Sequence, residues 1–180
     1  MADKNITVHV KMDRKMLRSF VLFDTFLLRK RWIKPAIFGG AFLIFALICF
    51  LATDKEQNTL LGTVMLLIGL GMPAVYVGMF LSGVKSQAKK LRLDPPRAVY
   101  TLTFSPENVK IHNDMKVEED VTLPWDKIPA AFRVRNAVYL YAAPTRAFIL
   151  PDGQADAPAD ELWRMIVEKL PKGRASTRTR

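Results

Sequence analysis

Few side chains in this sequence are of a type that does chemistry. They are two imidazoles (His9 and His112), one thiol (Cys49), an acidic cluster (Asp114, Glu118, Glu119 and Asp120) and the hydroxyls of Ser82 and Ser105. Imidazoles ligate metals or move protons, and neighbouring carboxylates hold a cation or divide acid and base roles. The spacing supports none of this. There is no His-x-x-x-His, no cysteine pair and no glycine-rich phosphate loop, so metal and nucleotide sites lack their usual signature. Both histidines fall in strand-like segments, and the acidic cluster beside Asn113 and Asp114 reads as a solvated turn. Neither serine has a base near it in sequence, although such partners come from distant positions in many folds. The expectation is no catalytic residue, no metal and no cofactor.

Cations are the abundant charged group. There are 27 Lys and Arg against 17 Asp and Glu, a formal charge of +10, which suits either nucleic acid or an anionic membrane face. Position decides for the membrane and against nucleic acid. Arg29, Lys30, Arg31 and Lys34 precede one apolar run, and Lys85, Lys89, Lys90 and Arg92 follow the next. A cation beside an anionic leaflet contributes about 1 kcal/mol. These eight residues form a candidate collar at the membrane interface, with anionic lipid headgroups as the expected partner.

The element that would position this collar is a pair of apolar segments within residues 35–84. Between Lys34 and Asp54 the sole ionisable side chain is Cys49; the run of about 19 residues makes roughly 28 Å of helix, close to the hydrocarbon thickness. A second uncharged run extends from Glu56 to Lys85 and is most apolar over 60–82. In lipid every backbone amide must be satisfied within its own segment, so both spans, 35–53 and 60–82, are expected to be helices, the second kinked at Pro73. Positive charge flanks the outer ends, whereas the connection carries Asp54, Lys55 and Glu56. The positive-inside rule therefore places both termini in the cytoplasm. The first run begins only after about 34 residues rich in Phe and basic side chains, which argues against a cleaved signal. Neither span contains Asp, Glu, Lys, Arg or His, so the marks of an ion pathway are missing. Ala74, Gly78 and Ser82 recur at four-residue spacing, as do Ala36 and Gly40. Their small side chains are expected to pack the two helices together, with homodimerisation as the alternative. Cys49 has no disulfide partner and is read as apolar packing.

The flanking segments are expected to fold in water. Ile6, Val8 and Val10 alternate with Thr7, His9 and Lys11, the period of a half-buried strand that needs a sheet elsewhere to pair with. Over residues 13–32, Met16, Phe20, Phe23 and Leu27 recur at helical spacing behind a cap at Asp13. Such a helix lies either in the headgroup layer or against the soluble domain. Trp32 suits the interfacial aromatic belt. The basic stretch 85–96 ends at Pro95 and Pro96. Six short strand-like runs follow at 98–104, 108–112, 117–123, 130–135, 137–142 and 146–150, punctuated by turn residues, and suggest an antiparallel meander. Phe104, Tyr139 and Tyr141 read as core. Trp125, after Pro124, is expected to start a short helical turn with its ring buried. One amphipathic helix follows Pro158 and stops before Pro171, and the basic tail 172–180 is expected to be disordered.

The order of parts, together with Tyr100-Thr101-Leu102-Thr103-Phe104, Glu107-Asn108-Val109-Lys110-Ile111, Leu123-Pro124-Trp125-Asp126-Lys127-Ile128, Val138-Tyr139-Leu140-Tyr141 and Phe148-Ile149-Leu150-Pro151, resembles the YcxB-like protein family. The resemblance implies a cytoplasmic domain similar to a pleckstrin-homology (PH) fold and no established biochemical activity. The sequence departs from it at the Ala/Asp/Pro-rich insertion 152–160. The resulting expectation is an α+β membrane protein with a two-helix transmembrane hairpin (35–84) and a small antiparallel β domain, PH-like, over 97–171, capped by a C-terminal helix. The strand and helix of 1–34 precede the hairpin. The expected location is the bacterial inner (cytoplasmic) membrane, multi-pass. The expected role is non-enzymatic: a membrane-anchored interaction module for protein or lipid, or alternatively an accessory subunit of a transport or envelope-assembly complex. A protein partner is not identifiable.

Overall fold

The computed structural model describes residues 5–52, 56–115 and 119–178. Its elements in chain order are β1 (Ile6–Met12), α1 (Arg14–Leu22), a π-helical turn (Phe23–Leu28), α2 (Ile33–Leu51), α3 (Glu56–Lys90), β2 (Arg97–Phe104), β3 (Asn108–His112), β4 (Val121–Pro124), a 3-10 turn (Trp125–Lys127), β5 (Ala130–Val134), β6 (Ala137–Ala143), β7 (Arg146–Pro151), α4 (Ala159–Lys169) and β8 (Ala175–Thr177). They divide into two compact units: Met1–Met16 with Leu93–Arg180, and Leu17–Arg92. The fold is α+β, with antiparallel sheets and two long apolar helices.

The first unit is built on alternation. Ile6, Val8, Val10 and Met12 all point inward and are buried, and the expected partner sheet is supplied by β2, which pairs antiparallel to β1 from Ile6↔Phe104 to Met12↔Arg97. Two four-stranded sheets result, β1-β2-β3-β4 and β7-β6-β5-β8, where the sequence suggested one meander. Leu102, Phe104, Val109, Ile128, Leu140 and Ile166 are fully buried between them and α4. Tyr100 ties the sheets together: its hydroxyl accepts the Ile149 N–H at 2.7 Å and donates to the Ile149 carbonyl at 3.1 Å. Trp125 begins the 3-10 turn with its ring buried beside Phe104, and its indole N–H donates to the Ser105 carbonyl at 3.0 Å.

Two segments differ from expectation. Far from being a disordered tail, the chain after α4 turns at Pro171–Arg174 and lays β8 parallel along β5. The Arg174 guanidinium fixes it there by donating to the Asp126 and Ile128 carbonyls at 2.6 and 3.0 Å. The reason is backbone pairing, which needs no apolar side chain and so leaves no trace in composition. The insertion after Pro151 covers the outer edge of β1. His9 N–H donates to the Gln154 carbonyl, Asp156 N–H to the Thr7 carbonyl, and the Gln154 amide pairs with both backbone groups of Lys11. An edge that would otherwise offer unpaired amides is thereby closed. Of the run expected as a strand over 117–123, β4 takes Val121 onward, and residues 117 and 118 lie outside the described residues.

The second unit is helical. Asp13 caps α1, accepting the Met16 N–H at 2.7 Å, and α1 gives way at Phe23 to π-helical geometry, so the single helix expected to Trp32 stops at Leu28. Leu17 and Phe23 are buried, and Phe26 meets Phe80 edge-on at 5.2 Å. Much of the apolar face of this segment is therefore covered by protein. α3 runs 35 residues without interruption through Pro73 and through the basic continuation to Lys90.

Candidate functional site

The collar residues all belong to the helical unit. Lys30, Arg31, Lys34, Lys85, Lys89, Lys90 and Arg92 are exposed. Arg29 differs: its Nε lies 2.7 Å from Asp24 Oδ2, with both side chains largely covered. That ion pair distinguishes Arg29 from the other seven, which are exposed. The chain enters and leaves the hairpin through left-handed backbone at Lys30 (φ 50°) and Arg92 (φ 49°), a conformation that costs a side-chain-bearing residue roughly 1 kcal/mol. Trp32, half exposed beside them, donates its indole N–H to the Phe26 carbonyl at 3.2 Å.

α2 and α3 have mean hydropathy 2.1 over their most apolar windows and are long and apolar enough to cross a membrane. Their outward surface is a continuous apolar belt, including Ile37, Phe38, Ile44, Phe45, Leu47 and Leu51 on α2 and Leu60, Leu67, Leu70, Val75, Met79 and Leu81 on α3.

The small residues expected to join the helices are not at their interface. Ala36, Ala74, Gly78 and Ser82 are exposed, and a Cβ added to Gly40 or Gly78 would meet nothing within 4 Å. The interface uses Gly39 and Gly69 instead. A Cβ on Gly39 would fall 2.8 Å from Pro73 Cγ and 2.9 Å from the Gly69 carbonyl oxygen, and one on Gly69 would fall 2.9 Å from Leu43 Cδ2. Gly62 packs against Cys49 and Phe50 in the same way. At about 100° per residue, Gly78 points about 180° away from Gly69, which is why a four-residue stripe cannot share a face with it over two turns. The informative signal was the seven-residue spacing of Gly39 with Ala46 and of Gly62 with Gly69, all four buried. The contacts of Gly39 with Gly69 and of Gly62 with Cys49 and Phe50 set the two helices antiparallel along these faces.

Sequence reasoning also left the two histidines apart. The structure joins them in one polar network on the outer face of β1, β2 and β3. His9 Nδ1 lies 3.2 Å from Thr101 Oγ1, the Thr101 hydroxyl donates to Asp114 at 3.2 Å, and His112 Nδ1 lies 2.8 Å from Asp120. The register His9↔Thr101↔His112 produces the alignment. Hydrogen bonding from His112 holds the Asp120 carboxyl below its ordinary range, since a hydrogen bond to the charged form favours that form. Among the described residues no group of three His, Cys, Asp or Glu side chains is placed to hold a metal ion. The network is exposed, and its acidic members keep it from being an anion cradle. Glu118 lies outside the described residues.

Comparison with family models, with curated proteins and with solved structures gives no match for this chain.

Proposed function

We propose that the protein is a non-enzymatic interaction module of the bacterial inner membrane, whose α2–α3 hairpin crosses the bilayer and holds the β unit at the cytoplasmic leaflet to bind lipid headgroups or a protein. One observation carries this reading. β1 precedes the hairpin and β2 follows it, yet the two strands pair over their whole length. A sheet cannot be completed across a bilayer, so both ends of the hairpin belong on one side, which two spans satisfy and one does not. The cations at those ends support the cytoplasmic side. Two sheets with a C-terminal helix are the parts of a PH-like domain, and the resemblance to the YcxB-like family belongs to the same proposal.

An accessory subunit of a transport or envelope-assembly complex is the second reading, favoured by the exposed small residues Ala74, Gly78 and Ser82 on a face the hairpin itself leaves open. Extraction of the full chain in mild detergent, followed by light scattering and native mass spectrometry, separates the two. A monomer or homodimer retaining anionic lipid supports the module. A complex of fixed stoichiometry with another membrane protein supports the subunit, and a lipid-free, partner-free particle counts against both.

A further inference from the structure

On the membrane reading above, we infer that the hairpin's own register divides the exposed cations into an inner ring of Lys30, Arg31, Lys34 and Lys85 that contacts anionic headgroups, and an outer group of Lys89, Lys90 and Arg92 that stands clear of them. The register comes from the glycine contacts. Gly39 is level with Gly69 and Pro73, Leu43 with Gly69, and Cys49 and Phe50 with Gly62. Continued to the end of α2, it sets Ile33 level with about residue 78, so α3 projects about 12 residues, roughly 18 Å, past its partner.

Exposure shows where the lipid-facing surface stops on that projection. Large apolar side chains are exposed on α3 from Leu60 to Leu81, a rise of roughly 32 Å that matches a hydrocarbon core of about 30 Å. Past Leu81 the exposed positions are Ser82, Gly83, Lys85, Ser86, Gln87, Lys89 and Lys90, while Val84 and Ala88 are buried. No apolar surface remains there for lipid to cover. The half-exposed Trp32 and the exposed Leu27, next to the Phe26–Phe80 contact, mark the same level, where an amphipathic indole belongs.

Heights then follow. Lys85 lies about 6 Å beyond Leu81, inside a headgroup layer some 5–8 Å deep. Lys89 and Lys90 lie about 12–14 Å beyond Leu81, roughly 4–9 Å past the outer edge of that layer, where a Debye length of about 8–10 Å weakens their attraction to it without abolishing it. By the same register Lys34 is level with about residue 77, roughly 6 Å inside the end of the belt, but side chains on a helix lean towards its N-terminus, which carries this ammonium outward to the headgroups. The same lean on α3 draws the Lys85 ammonium down towards them.

Two measurements test the division in vesicles of phosphatidylcholine and phosphatidylglycerol (3:1). In a Cys49→Ala background, nitroxides at Leu67→Cys, Leu81→Cys, Lys85→Cys and Lys89→Cys report depth through relaxation by oxygen against a water-soluble nickel chelate. The expected result is oxygen dominance at 67 and 81, balance at 85 and nickel dominance at 89. Oxygen dominance reaching 89, or nickel dominance already at 81, overturns the inference, whereas nickel dominance at 67 overturns the membrane reading beneath it. In the chain with its native cysteine, spin-labelled lipids measure preference for phosphatidylglycerol over phosphatidylcholine. Lys34→Gln with Lys85→Gln is expected to cut that preference about fivefold or more, and Lys89→Gln with Lys90→Gln to cut it by less, about threefold at most, because those charges are partly screened. Equal losses from the two pairs overturn the division.

Discussion

At the scale of single residues, the close approach of α2 and α3 makes the glycines unequal. Gly39→Ala drives a methyl group against the Gly69 carbonyl and the Pro73 ring, and backbone cannot yield as a flexible side chain would. A loss of about 1–3 kcal/mol is expected, whereas Gly78→Ala, with open space around it, is expected to stay within about 0.5 kcal/mol of the parent. Unfolding midpoints in a denaturing-detergent titration read both. Tyr100 makes a second sharp case. Burial raises its phenol far above the ordinary value, against the smaller opposing effect of its backbone hydrogen bond to Ile149. The folded state thus keeps a proton that the unfolded chain gives up above about pH 10. Its contribution is complete below that pH and is lost as pH rises towards the folded value, at about 1.4 kcal/mol per unit. Tyr100→Phe is expected to flatten the alkaline limb of the stability curve and to cost about 1–3 kcal/mol at neutral pH, since the Ile149 N–H is left buried without its partner. Asp120 carries the opposite sign. Its lowered value stabilises the fold above the ordinary carboxylate range, and the effect disappears as pH falls through the folded value. Asp120→Asn is expected to remove that acid-side component from pH-dependent unfolding.

At the scale of elements, β8 shows what main-chain pairing contributes without apolar content. Truncation after Lys172 removes its ladder with β5 and the two bonds from Arg174 to the Asp126 and Ile128 carbonyls. The β unit is expected to lose about 1–3 kcal/mol, read as a lower midpoint in the fluorescence of Trp125, which opens that same turn. The strands whose side chains alternate were legible in the sequence: Ile6, Val8 and Val10 announced β1, and β3 falls on the expected residues 108–112. The Asp13 cap and the buried turn at Trp125 were equally readable, because each depends on neighbours within three or four residues. β8 and the closure of the β1 edge by Gln154 and Asp156 were not, since a backbone amide carries no residue-specific mark of its distant partner. The cations flanking the apolar runs were legible by type but not by pairing. Charge beside an apolar run is visible in one dimension, whereas the pairing of Arg29 with Asp24 and the long projection of α3 exist only in three.

At the scale of the whole molecule, the hairpin is an insertion within a β unit rather than an anchor appended to one end. β1 and β2 are separated in sequence by both apolar helices and still share a sheet. On the proposed membrane reading, folding of the β unit and the side on which the hairpin's ends emerge are therefore one problem, with one answer for both. The most direct check uses single cysteines in a Cys49→Ala background, at Gln57 near the connection of α2 to α3 and at Ser176 in β8, challenged in intact cells by a membrane-impermeant maleimide that reaches the periplasm. Labelling of Gln57→Cys before lysis, with Ser176→Cys labelled only after lysis, is the predicted result. Labelling of Ser176→Cys in intact cells, or recovery of the full chain in the detergent-free supernatant after ultracentrifugation, would contradict it.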